Sequence, residues 1–129
     1  MNGFKAGIAA CLFAVPQLAG ANAAGDFRQY CVSCHGLDGK GNGPAGADLS
    51  PRPADLTGIA ARSGGIYPMA EVMSAIDGYG QSGEGRAMPE FGAYLLDDEQ
   101  VLVDTGDGIR SPAPKRLVEM AEYLRSLQR

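Results

Sequence analysis

Cys31-Val32-Ser33-Cys34-His35 is the stretch on which the fold of this 129-residue chain turns. Two residues separate the thiols, and on a helical turn that spacing matches the separation of two vinyl groups on a porphyrin. The adjacent histidine then comes up beneath a metal at the centre of the ring. The pattern implies a covalently attached haem c, with one thioether from each cysteine and an imidazole nitrogen on iron. Zinc does not fit: a structural site needs a further pair of Cys or His ligands, whereas His35 is the single histidine and no cysteine follows Cys34. A dithiol redox centre fits poorly too, because such pairs open a helix after a strand, and no strand precedes this one.

Upstream of the motif, residues 26–34 read as a short helix with Phe27, Tyr30, Cys31 and Cys34 on one side. Downstream, residues 36–65 are rich in glycine and proline and hold no sustained period. So long a stretch cannot build its own core, and it is too long for an ordinary connection unless it wraps something large and apolar. Leu37, Leu49, Leu56 and Ile59 argue against disorder there.

A second helix is expected over residues 68–77, with Pro68 suited to its first turn and Gly78 placed to end it. Met69, Val72, Met73 and Ile76 would share one face. A glycine-rich loop follows and runs into Met88-Pro89. Asp97-Asp98-Glu99-Gln100 reads as a helix start, Asp97 capping and Gln100 in the reciprocal position. That third helix would carry Val101, Leu102 and Val103 and stop at Gly106 and Gly108. The last helix, 115–128, shows an apolar stripe of Leu117, Met120, Ala121, Leu124 and Leu127. No segment alternates convincingly as a strand, so an all-α domain is expected, three to five short helices wrapped around one covalently bound haem.

His35 supplies one axial ligand to the iron. For the opposite face, Met69 and Met73 sit on an apolar helix face and Met120 in the last stripe, which suits core positions. Met88 sits in a loop, after flexible chain and before a proline that keeps it extended, so it is the candidate sixth ligand; Met73 or an open position are the alternatives. A ligating histidine also donates its second ring proton to a fixed acceptor, and the Gly43-Pro44 step offers a carbonyl.

The first 23 residues read as a cleavable export signal: Lys5, then an apolar run, then Ala21-Asn22-Ala23, with the cut after Ala23. An uncleaved anchor and, from Cys11, a lipoprotein signal are the alternatives. Residues 24–129 would form one cytochrome domain in the periplasm. The formal charge of −4 and the want of a basic stripe exclude nucleic acid as a partner. With the single histidine committed to iron, no acid–base pair is left for catalysis, so the chain is not expected to be an enzyme.

Taken together, the run from Cys31 through His35 to Gly36-Leu37-Asp38-Gly39-Lys40-Gly41, then Gly43-Pro44, Pro53-Ala54-Asp55-Leu56, Met88-Pro89-Glu90-Phe91 and Ala121-Glu122-Tyr123-Leu124-Arg125-Ser126-Leu127 resembles the class I monohaem bacterial cytochromes c. The resemblance implies the cytochrome c fold, His35 and Met88 as axial ligands, and the Pro44 carbonyl as acceptor of the His35 proton. It also implies that Phe27 and Tyr123 pack where the first and last helices cross. Residues 104–114 depart from it as an acidic, Gly/Pro-bearing insertion. The function expected is that of a periplasmic electron carrier, cycling one haem iron between ferric and ferrous states. The alternative is an electron-transfer subunit of a periplasmic dehydrogenase or oxidase complex; a haem sensor or peroxidase would need a displaceable sixth ligand. Expected partners are redox proteins (a dehydrogenase, a cytochrome complex or a terminal oxidase), with no stable membrane insertion after signal cleavage.

Overall fold

The computed structural model describes residues 20–78, 86–96 and 98–129. The apolar run of the expected leader with Cys11, the glycine run before Arg86, and the capping position Asp97 lie outside them. Five helices fall within the described residues: α1 (Gly20–Tyr30), α2 (Val32–His35), α3 (Ile59–Arg62), α4 (Met69–Asp77) and α5 (Lys115–Ser126). The small, mostly helical domain expected from the sequence is the one observed. None of these helices is long and apolar enough to cross a membrane.

The core forms where α1 and α5 cross and α4 packs beside α5. Phe27, Leu95 and Met120 are its largest fully buried side chains. Each helix supplies the stripe its sequence spacing dictates: Met69, Val72, Met73 and Ile76 from α4, and Leu117, Met120, Ala121 and Leu124 from α5. The rings of Phe27 and Tyr123 meet at 5.3 Å between centroids, tilted by 51°, a geometry that aromatic quadrupoles favour. The crossing is tied at its rim by Arg116, which bonds both oxygens of Asp26 and the backbone oxygen of Tyr94. α1 starts earlier than the expected helix, so Ala23, the expected cleavage point, lies within it and is 2% exposed.

One segment differs in kind from its expectation. Residues expected as a third helix form β1 (Gln100–Asp104), which pairs antiparallel with β2 (Arg110–Pro114). The insertion is therefore a hairpin. Val101 and Val103 face inward while Gln100, Leu102 and Asp104 face solvent, and Val103 packs against the core. Two physical causes decide it. Asp104 closes the turn by accepting the N–H groups of Gly106 and Gly108 on one oxygen. Pro112 and Pro114, which would break a helix, are tolerable in a strand of a two-stranded ribbon.

Candidate functional site

Helix α1 breaks at Cys31, and α2 is the single turn that carries Cys34 and His35. Cys31 opens that turn, its carbonyl oxygen accepting the N–H groups of Cys34 at 3.2 Å and His35 at 2.8 Å. The glycine-rich chain beyond then doubles back onto it. Gly41 N–H bonds the His35 carbonyl at 2.8 Å, and Gly43 N–H bonds the Cys34 carbonyl at 3.0 Å. Gly43 can come this close only because it has no side chain: a Cβ there would stand 2.5 Å from the Ser33 oxygen and 2.6 Å from the Val32 oxygen. The glycines after the motif thus lock its backbone rather than merely loosening the chain.

Two contiguous cavities of about 320 and 260 Å³ lie beside this turn. Cys31, His35 and Met88 line both, and Cys34 lines the first. Most of the remaining wall is apolar: Leu49, Pro51, Pro53, Ala75 and Phe91 on one side, Leu56, Ile59, Val72, Ile76 and Leu95 on the other. The charged side chains at the first cavity are Arg52 and Arg86, and the second has Glu71. Two thiols, one imidazole and one thioether around an apolar space suit a porphyrin that is bonded at its edge and ligated at its iron. The wrapping expected of residues 36–65 is visible in the walls, to which Leu49, Pro51 through Ala54, Leu56 and Ile59 contribute.

His35 is buried, and its Nδ1 lies 2.9 Å from the carbonyl oxygen of Ala54. A carbonyl can only accept, so Nδ1 donates in this contact, which leaves Nε2 as the ring nitrogen free to face the cavity. The expectation for Pro44 is corrected here. Pro44 opens a 3-10 turn, Pro44–Gly46, in which its carbonyl oxygen accepts Ala47 N–H at 3.4 Å, and it lines neither cavity. The acceptor comes from the Pro53-Ala54-Asp55-Leu56 run instead. Asp55 fixes that run by accepting both the N–H and the hydroxyl of Thr57, at 2.8 and 2.7 Å. These bonds hold the Asp55 carboxyl below its ordinary pKa. An Asp-x-Thr turn signal was present in the sequence; what it would present to His35 was not.

The two thiols are half-buried and unbridged. Burial first, then the neighbouring Asp26 and Cys34, push the Cys31 thiol up to about 11. A reactive redox cysteine has the opposite shift. Among the described residues, no group of three or more His, Cys, Asp or Glu is placed to hold a metal ion.

Of the described methionines, Met88 lines both cavities and Met120 reaches only the second. Met69 and Met73 are buried in the core and line neither, as their helix face implied. The Met88 segment is held by contacts the sequence did not announce. Tyr30, Phe91 and Tyr94 form a ring cluster with centroid separations of 5.8 to 6.2 Å, joining the residue before Cys31 to the chain after Met88. Arg86 donates to the Met88 carbonyl at 2.9 Å.

Residues 19–102 match the family described as cytochrome c oxidase, cbb3-type, subunit III. No curated protein and no solved structure matches the chain. The match spans the attachment motif, the wrapping loop and Met88, and ends within β1. Haem c with its iron, bonded through Cys31 and Cys34 beside His35, and a general electron-transfer role follow from the motif and the match together. A terminal oxidase was among the expected redox partners, but the match overturns the expectation of no stable membrane insertion after signal cleavage: subunits of this oxidase are membrane-anchored. The haem domain, as expected, is exposed to the periplasm. With well over half of its length matched, the chain belongs to the cbb3-type cytochrome c oxidase subunit III family.

Proposed function

We propose that this chain relays single electrons as a haem-bearing subunit of a terminal oxidase assembly, with His35 and Met88 as axial ligands and one haem c in its domain. The observation that carries the reading is that Cys31, His35 and Met88 line the same pair of contiguous apolar cavities, in a chain whose family is named for an oxidase subunit. Haem c supplies a one-electron couple, and thioether opposite imidazole favours the ferrous state and raises the potential. The chain's own residues do the rest. The Ala54 carbonyl holds the Nδ1 proton of His35 and so orients the ring. The aromatic cluster and the apolar walls keep water away, which narrows the difference in solvation between oxidation states. The subunit reading is preferred to a freely diffusing carrier because the family match favours it.

One experiment addresses both halves. The tagged chain is isolated from detergent-solubilised membranes, as wild type and as Met88→Ala. Wild type should co-isolate with an oxidase and, once ferric, show the weak far-red charge-transfer band of an iron–thioether bond. Met88→Ala should lose that band, bind cyanide faster and have a lower midpoint potential. Recovery of the chain wholly free of any oxidase would refute the subunit role, and a band that survives Met88→Ala would refute the ligand assignment.

A further inference from the structure

The C-terminal turn of α4 leaves carbonyl groups with no partner inside the helix, as every helix end does. Here three of them are met in different ways. The Ser74 carbonyl accepts Gly78 N–H at 2.9 Å, with Gly78 in the left-handed conformation at φ 88°. The Ile76 carbonyl accepts Phe91 N–H at 2.9 Å. The Ala75 carbonyl, between them, accepts the Arg86 guanidinium through Nη2. The same guanidinium donates through Nε to the Met88 carbonyl at 2.9 Å. One planar fork therefore bridges the end of a cavity-lining helix and the peptide of the candidate sixth ligand. A cation is also favoured at this helix end by the helix dipole.

From this bridge we infer that Arg86 is a positioning residue for the sixth ligand, an inference that rests on the reading of Met88 as that ligand. Ala75 lines the first cavity, as do Arg86 and Met88. Arg86 fixes the Met88 backbone against α4 on one side, while Phe91 N–H fixes the following chain to the same helix turn on the other. With both ends of Met88-Pro89-Glu90 held, the thioether has little freedom to swing out of the cavity. Lysine cannot reproduce this, since a point charge on a flexible stem does not span two carbonyls in a fixed fork. The side chain acts through Met88 and is not itself a ligand.

The test compares haem-loaded wild type, Arg86→Gln, Arg86→Lys and Met88→Ala for cyanide association with the ferric protein, far-red band intensity, and the midpoint of urea unfolding. Arg86→Gln should accelerate cyanide association about ten- to a hundredfold, the loss expected when a charge-assisted hydrogen bond no longer restrains the leaving ligand. Its far-red band should weaken, and Arg86→Lys should lie between it and wild type. A merely structural role would lower the urea midpoint while leaving cyanide association within about twofold of wild type under native conditions, and that outcome overturns the inference. Should Arg86→Gln fail to accumulate with haem, Arg86→Lys decides: an intermediate rate supports the inference and a wild-type rate overturns it. If Met88→Ala changes neither band nor rate, the ligand reading fails and the inference falls with it. If Met88→Ala behaves as expected and Arg86→Gln matches wild type, the Arg86 assignment fails alone.

Discussion

The Tyr67 hydroxyl donates a 2.8 Å hydrogen bond to the backbone carbonyl oxygen of Ala121, linking the chain that leads into α4 to the middle of α5. Tyr67 is half-buried, and burial holds its hydroxyl well above the ordinary tyrosine range. Tyr67→Phe keeps the ring and removes the bond, so it should cost about 1 kcal/mol of holoprotein stability. The bond depends on the neutral hydroxyl, whose folded pKa is raised. Its contribution is therefore complete below about pH 10, the unfolded value, and is lost as pH climbs from there towards the folded one. Urea titrations of wild type and Tyr67→Phe should show a constant gap at neutral pH that narrows under strongly alkaline conditions, while the midpoint potential hardly changes.

Asp55 offers the opposite pH window. Its carboxylate holds the turn that presents Ala54 to His35, and the Thr57 hydroxyl and N–H keep its pKa low. A lowered folded pKa contributes stability that is present above about pH 4 and is lost as pH falls through the folded value. Asp55→Asn should be less stable than wild type at neutral pH, and the two should converge in acid. The same substitution should loosen the orientation of His35, read as broadened haem resonances in NMR spectra of the ferric protein. Convergence at neutral pH instead would mean that the turn does not depend on the charged carboxylate.

Glycine substitutions separate backbone locking from simple flexibility. Gly43→Ala would drive a methyl group to within 2.5 Å of the Ser33 oxygen, so the loop must lift off the attachment turn. A cost of about 1–3 kcal/mol, the usual range for forced overpacking, is expected in the urea unfolding of the holoprotein. Gly25, inside α1, has open space around it. Gly25→Ala should stabilise by about 0.5–1 kcal/mol through helix propensity alone. Equal effects at the two positions would deny Gly43 its special role.

The parts of this fold legible in the sequence are those set by short-range chemistry. The attachment motif is read from five adjacent residues, and α4 and α5 from stripes that recur every three or four positions. Met88 stands out because it is a loop methionine before proline, off the apolar stripes of the helices. The acceptor for His35 was not legible: the Gly43-Pro44 step was nominated, but any carbonyl of the wrapping loop could serve, and only the path of the chain brings Ala54 to the ring. The bridge made by Arg86 was not legible for a related reason: it ends on the backbone carbonyls of Ala75 and Met88, which carry no sequence signal. Tyr30, Phe91 and Tyr94 cluster across sixty residues of chain, and no local pattern joins them.

Residues 100–104 failed for a different reason, and the failure can be put to experiment. Val101-Leu102-Val103 is a continuous apolar run, in which periods of two and of 3.6 cannot be told apart, and the preceding acidic residues imitate a helix start. The partner strand contains two prolines, which propensity alone would never nominate. The hairpin makes a sharp distinction within the run, however. Val103 faces inward and packs against the core, whereas its neighbour Leu102 is 59% exposed. Val103→Asp should destabilise the holoprotein by about 2 kcal/mol or more, through an unpaired charge turned towards apolar neighbours. Leu102→Asp, across the pleat, should stay within about 0.5 kcal/mol of wild type. On a helix the two positions would lie only about 100° apart, and so sharp a contrast would not be expected. Urea unfolding of the two variants therefore reads the secondary structure directly: a large effect at Leu102 with little at Val103 would place the wrong face inward and refute the observed register.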